Sequence, residues 1–339
     1  MKKMSLAVLP LLLVSLAYAQ SFSATPLTDF RLGQLYLGAF PGFLYEGSNE
    51  MPGDHAADGL IAASRVQPLD SQGNPSRFGK IVVVGIGMSN WTDEFCDSQT
   101  NCIPQSFLGS TQKNPLVDHR ALVIVNCARP GEVADHWLND KFKNYSYCKS
   151  RLTQNGVTEA QVQVILYKNA LERPTQSLTA TTVRNSQSRV EACHYEHEIG
   201  ITARFIKRQY RNVQQMFLHS RIYAGYAPAG SLDPEPFAYE YGFATKWLIA
   251  AQIQQLRNGT VDDTAGPLDY ASAPWLAWGP YFWASGRTPR NDGLTWVPQD
   301  FSLNDMTHPS PSAVGKVSSM MVNFYLNSPY SPWFTAGRN

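Results

Sequence analysis

Charge is scarce in this chain. Only 16% of its 339 residues are Asp, Glu, Lys or Arg, and the net charge is +1. A nucleic-acid binder needs a basic stripe or patch, so that class is excluded. Beyond the first nineteen residues no stretch is long and apolar enough to span a bilayer. No internal repeat and no low-complexity linker divides the chain. No cysteine follows the N-terminal leader directly, which argues against a lipid anchor.

The leader reads as an export signal. Lys2 and Lys3 give a positive start, Leu6 to Leu16 is apolar apart from Pro10 and Ser15, and Ala17-Tyr18-Ala19 is a cleavage site. A mature chain from Gln20, secreted or periplasmic in a bacterium, is expected. The sequons at Asn90, Asn144 and Asn258 are then incidental. Five cysteines in an exported chain imply disulfides and one spare thiol. Cys96 and Cys102 are close enough to close a small loop. Cys148 and Cys193 lie in polar segments and are candidates to pair. Cys127 ends an apolar run and reads as a buried thiol. Connectivity is not fixed by spacing. Aromatics are plentiful, at 12%, which suits a large core and an aromatic-lined cleft.

Residues 20–78 are rich in Gly, Pro, Asn and Asp and read as an irregular lead-in packed on one domain, 79–339. Strands are expected at Lys80–Gly85, Ala121–Cys127, Val162–Tyr167 and Arg221–Gly225, with a fifth near Trp275–Trp283. Helices are expected at Glu132–Asn139, His197–Leu218, Tyr239–Arg257 and Pro311–Leu326. Strands alternating with helices give an α/β fold with a parallel sheet covered on both faces. In such sheets sites lie at the carboxyl ends of strands. That rule puts three segments on one rim. Gly87-Met88-Ser89-Asn90 follows the first strand, Arg129-Pro130-Gly131-Glu132 the second, and Lys168-Asn169 the third. Gly131 is read as opening a helix, whose N-terminus favours negative charge. The Ser89 N–H, the Gly131 N–H and the Asn169 amide are three donors for an oxyanion. Far along the chain, Asp305-Met306-Thr307-His308 precedes the last helix. A serine hydroxyl needs a base to attack a carbonyl, and His308 with Asp305 supplies a base and its orienter.

The ordered set Ser89, Gly131, Asn169 and Asp305-x-x-His308 resembles the SGNH hydrolases, the GDSL-type esterases, over residues 80–326. The resemblance implies a three-layer, flavodoxin-like α/β/α sandwich with five parallel strands. It implies Ser89 as nucleophile, Gly131 and Asn169 in the oxyanion hole, Asp305 and His308 as orienter and base, and no metal or organic cofactor. The family's Gly-Asp-Ser is here Gly87-Met88-Ser89, as in an exported bacterial branch, and Asn90 is a candidate substitute for the missing acid.

Plainer readings stand beside these. Ser89 and Gly131 are ordinary turn residues, Asp305 and Asn169 helix caps, and His308 a surface histidine. His194 and His197 suggest a metal site but lack further ligands at suitable spacing, and a structural role is the simpler reading. His219 reads as a satisfied core residue and Arg129 as a structural ion pair. Asn49, His55, Trp275, Trp278, Tyr281, Phe282 and Trp283 are candidates to line a sugar-binding cleft, with core packing as the plain alternative. The expected function is a secreted serine esterase acting on carboxylic esters, including O-acetyl groups on carbohydrate. The alternative is a non-catalytic carbohydrate-binding or surface protein on the same scaffold. A metal-dependent hydrolase is a distant third. Partners are a small-molecule or carbohydrate ester; neither nucleic acid nor a stable membrane anchor is expected.

Overall fold

The computed structural model describes residues 20–96, 102–228 and 230–337. The expected export signal lies outside the described residues. The chain begins with a short hairpin, β1 (Leu35–Tyr36) and β2 (Phe40–Pro41), followed by helix α1 (Gly53–Ser64). The segment expected to be irregular therefore contains twelve residues of helix. Its small residues let it lie close to the sheet: Gly59 backs directly onto the Trp275 ring.

The main sheet comprises β3 (Ile81–Gly87), β4 (Leu122–Asn126), β5 (Val162–Lys168), β6 (Gln215–Leu218) and β7 (Trp275–Trp278). Its order is β4-β3-β5-β6-β7 and every pairing is parallel. β3 and β5 are buried along their whole length, as strands covered on both faces must be. Helices α2 (Ser89–Cys96), α3 (Phe107–Lys113) and α7 (Pro311–Asn327) pack together on one face. Helix α4 (Asn144–Gln154) lies against β4, while α5 (Glu191–Gln209) and α6 (Phe237–Asn258) pack together on the other face. The result is a three-layer α/β/α sandwich of flavodoxin-like strand order. Its order reverses between β3 and β5, where such sheets open a crevice. Among the described residues no helix is long and apolar enough to cross a membrane.

Three expected elements fall elsewhere. The fourth strand is Gln215–Leu218, not Arg221–Gly225, and the helix expected through Leu218 stops at Gln209. Gln215 masks this strand in the sequence, since it puts an amide in a buried position. That amide accepts from Trp333 Nε1 at 2.8 Å and donates to the Tyr330 carbonyl at 2.8 Å. The helix expected over Glu132–Asn139 is only a 3₁₀ turn, Ala134–Trp137.

Cys96 pairs with Cys102, as expected, but Cys127 pairs with Cys148 and the free, buried thiol is Cys193. The expected Cys148–Cys193 pairing is thus overturned. Cys127 follows β4 directly, and α4 packs beside that strand with Cys148 facing it, Cα to Cα 5.0 Å.

Candidate active site

Gly87 ends β3 where the backbone must turn sharply into α2. A Cβ at this position would lie 2.1 Å from the Lys168 carbonyl oxygen, so glycine is required by close approach. Met88 precedes the helix, and its carbonyl accepts the Thr92 N–H at 2.9 Å and the Thr92 hydroxyl at 3.2 Å. Its side chain packs into the core. Ser89 is the first helical residue and is partly exposed. Its N–H is one of the four at a helix start that have no intrahelical acceptor.

Asp305 and His308 sit on a tight loop ahead of α7. The Asp305 Oδ1 accepts the N–H groups of Thr307 at 2.9 Å and His308 at 3.0 Å, and Oδ2 lies 2.6 Å from His308 Nδ1. Burial alone would raise the Asp305 carboxyl, but these N–H donors and the imidazole outweigh it and hold the pKa below the usual value. Asp305 therefore stays ionised, and Nδ1–H of His308 is its natural donor. Met306, between them, has φ of 53°, a strained value for a residue with a side chain. Its buried side chain and the Met306 N–H bond to the Ser302 carbonyl hold it there. Lys316 of α7 pairs with buried Asp300 at 2.6 Å, which fixes the base of this loop.

One bond joins the two distant segments. Asn90, next to Ser89, donates from Nδ2 to the Thr307 carbonyl at 3.0 Å, and both residues are buried.

The Gly131 and Asn169 segments are tied to the same rim. The Cys127 N–H bonds to the Gly85 carbonyl at 2.9 Å and the Arg129 N–H to the Gly87 carbonyl at 3.1 Å. Gly131 is exposed with φ of 78°, and a Cβ there would meet nothing within 4 Å. Its left-handed conformation, not crowding, favours glycine. Since no α-helix follows, the expected helix dipole at Gly131 is absent. Asn169 follows β5, donates from Nδ2 to the Glu132 carbonyl at 3.3 Å and accepts the Ala170 N–H at 2.9 Å. The Tyr195 hydroxyl holds its carbonyl at 2.8 Å. Arg129 is a structural cation: it bonds Asn144 at 2.9 Å, pairs with Glu132 at 3.4 Å and covers the Tyr147 ring.

Sequence reasoning missed a buried ion pair behind the rim. Lys168 and Glu94 are both fully buried, with Nζ donating to both carboxylate oxygens. Arg221 and Asp233 form a second buried pair, 2.9 Å apart. The available signal was a lysine directly after the apolar run Val164–Tyr167, next to Asn169.

The remaining candidates settle into the scaffold. His194 pairs with Glu198 at 3.1 Å, and His197 Nδ1 lies 2.8 Å from the Thr264 carbonyl. His219 is fully enclosed between Trp91 and Phe282, and burial pulls its pKa down to about 3. Trp275, Trp278, Tyr281, Phe282 and Trp283 are all buried. They pack the core: Trp275, Trp278, Tyr281 and Trp283 between the sheet edge, α6 and the lead-in, and Phe282 against His219 and Trp91. His55 bonds the Leu276 carbonyl at the sheet edge, and Asn49 braces the loop through Thr28 and Leu44.

No family model matches the chain, and no curated protein matches it. Among solved structures it is similar to TesA, at 10% identity over 74% of this chain and 99% of that one, with a TM-score of 0.38. A protein from Arabidopsis thaliana is 10% identical over 73% of this chain and 99% of that one, TM-score 0.37. A Bacillus subtilis protein is 11% identical over 74% and 57%, TM-score 0.35. Likenesses this low carry no weight here; the fold rests on the strand order, and the chemistry rests on the residues above.

Proposed function

We propose that this chain is an exported serine hydrolase of carboxylic esters. The observation that carries the reading is the hydrogen-bonded pair Asp305–His308, fastened through Thr307 and Asn90 to the turn that bears Ser89. With Nδ1 engaged by Asp305, His308 presents Nε2 as the base. Ser89 Oγ attacks the ester carbonyl and passes its proton to Nε2, while Asp305 stabilises the imidazolium. The tetrahedral oxyanion rests on the Ser89 N–H, the Gly131 N–H and the Asn169 amide. His308 then protonates the departing alcohol. Water, deprotonated by His308, releases the acid and restores the serine. No metal or organic cofactor takes part.

The substrate is a small acyl group, such as acetyl, on an extracellular carbohydrate. Exposed Gly131 and partly exposed Ser89 and His308 support an open site that admits an ester on a bulky carrier. Export is supported by the leader sequence and by two disulfides.

The test is hydrolysis of a short-chain aryl ester, with acetylated oligosaccharides as a second panel. Ser89→Ala is expected to lower kcat by at least about 10⁴-fold and to abolish labelling by a fluorophosphonate. Equal rates for wild type and variant sink the reading.

A further inference from the structure

We infer that Glu94 and Lys168 are positioning residues, which set the spacing between the Ser89 nucleophile and the Asn169 donor. The inference rests on the esterase reading above and goes beyond it, since neither side chain belongs to the triad or the oxyanion hole.

Glu94 lies on α2, five residues after Ser89. Lys168 is the last residue of β5, immediately before Asn169. The pair therefore joins the helix that starts at the nucleophile to the strand end that presents the amide. The same two elements also meet at Trp91 of α2, whose Nε1–H donates to the Leu166 carbonyl of β5 at 3.2 Å, and Gly87, at the end of β3 just ahead of the nucleophile, fits against the Lys168 carbonyl without room for a Cβ. Two side-chain bonds, from Trp91 and from the Glu94–Lys168 pair, thus fix α2 against β5 at two separate points.

Stability does not account for the pair. Two fully buried charges are desolvated at a cost that their attraction only roughly offsets, and apolar residues of similar size often serve as well. What an ion pair adds over a methionine pair is direction: both carboxylate oxygens face one ammonium, so the helix has one rotation and one height. The surroundings keep that geometry rigid. The ammonium lies 5.7 Å from the Trp91 ring and 5.3 Å from the Phe282 ring. Arg221 and Asp233 lie close enough to act on it electrostatically, and the four charges sum to zero. Burial draws the Lys168 pKa down to about 8 and raises that of Glu94, with each partner opposing the shift in the other.

The experiment compares wild type, Ser89→Ala, the double variant Glu94→Met/Lys168→Met, and Glu94→Asp on one short-chain aryl ester, with Tm recorded for each. The double variant removes both charges together and leaves none unpaired. It is expected to fold with a Tm near wild type, to lose about 100-fold in kcat, as misplacement by about an ångström does, and to keep KM within about twofold. A folded double variant with wild-type kcat, beside an inactive Ser89→Ala, overturns the inference and leaves the esterase reading intact. If the double variant does not fold, Glu94→Asp decides. It keeps both charges but draws the carboxylate back by one methylene, so kcat should fall about tenfold at unchanged KM; a wild-type kcat there overturns the inference. Ester hydrolysis that Ser89→Ala leaves untouched removes the parent reading, and this inference with it.

Discussion

Asp305→Asn separates the chemistry of the Asp305 loop from its architecture. The Asp305 carboxylate makes three bonds, and they are not equivalent. Oδ1 accepts two backbone N–H groups, from Thr307 and His308, and Oδ2 faces His308 Nδ1. An asparagine has one acceptor oxygen, and only an acceptor satisfies two N–H donors. The amide oxygen must therefore take the Oδ1 place, which keeps the loop folded and turns the NH₂ toward His308 Nδ1. Two donors then face each other unless His308 changes tautomer. The tautomer with Nδ1 unprotonated carries its proton on Nε2, and that nitrogen can no longer accept the Ser89 proton. The expected result is a kcat lowered about 10⁴-fold, or roughly 5 kcal/mol of transition-state stabilisation. Since both backbone bonds survive, Tm should stay within a few degrees of wild type. Asp305→Ala, by contrast, removes the loop bonds as well and should lower Tm along with activity. The assay is kcat on a short-chain aryl ester beside a thermal melt of each variant. An Asp305→Asn variant within tenfold of wild-type kcat refutes the tautomer argument.

Two further outcomes concern stability. The Cys127–Cys148 disulfide closes a loop of sequence separation 21, and Cys127→Ala/Cys148→Ala should cost about 3 kcal/mol in urea unfolding by loop entropy; an unchanged midpoint would show that the unfolded chain is not constrained by the bond. Burial raises the pKa values of Glu235 and Glu240 to about 7 each, so the folded state binds more protons than the unfolded one between about pH 4.5 and 7. Through these groups stability therefore falls as pH rises across that window. Glu240→Gln preserves partners for Tyr36 and the Leu178 N–H, and unfolding at pH 5 and pH 8 should show a smaller fall than in wild type. An identical fall in the variant would exclude Glu240 as a contributor.

The strands were legible where both faces are buried. Ile81–Gly87 is an unbroken run of apolar residues and glycines because helices cover it on both sides, and Val162–Lys168 keeps that signal with one interruption, Gln163, before its terminal Lys168. β6 was not legible, because Gln215 satisfies its amide through Trp333 and Tyr330, residues more than a hundred positions away. The same limit applies to the cysteines. Spacing along the chain cannot reveal that α4 lies against β4 and brings Cys148 to Cys127. The candidate triad residues were visible as motifs, but what fastens them was not. The Asn90–Thr307 bond and the Glu94–Lys168 pair span 217 and 74 positions, and each joins residues with no local pattern of their own.

Met88 shows how the rim is held without the aspartate that the resemblance leads one to expect. Residue 88 stands just ahead of α2, where its side chain enters the core and its carbonyl accepts both donors of Thr92. The helix start is thus secured by backbone and by Thr92, so no carboxylate is needed there for capping. A buried ionised acid at this position would require its own partners or pay for desolvation. The remaining need is a polar link across to the histidine loop, and Asn90 makes it from the next turn position but one. An uncharged amide serves this better than an acid, because the acceptor it meets, the Thr307 carbonyl, requires a donor. In this chain the connection between the Ser89 turn and the His308 loop therefore runs through residue 90, and position 88 is free to be apolar.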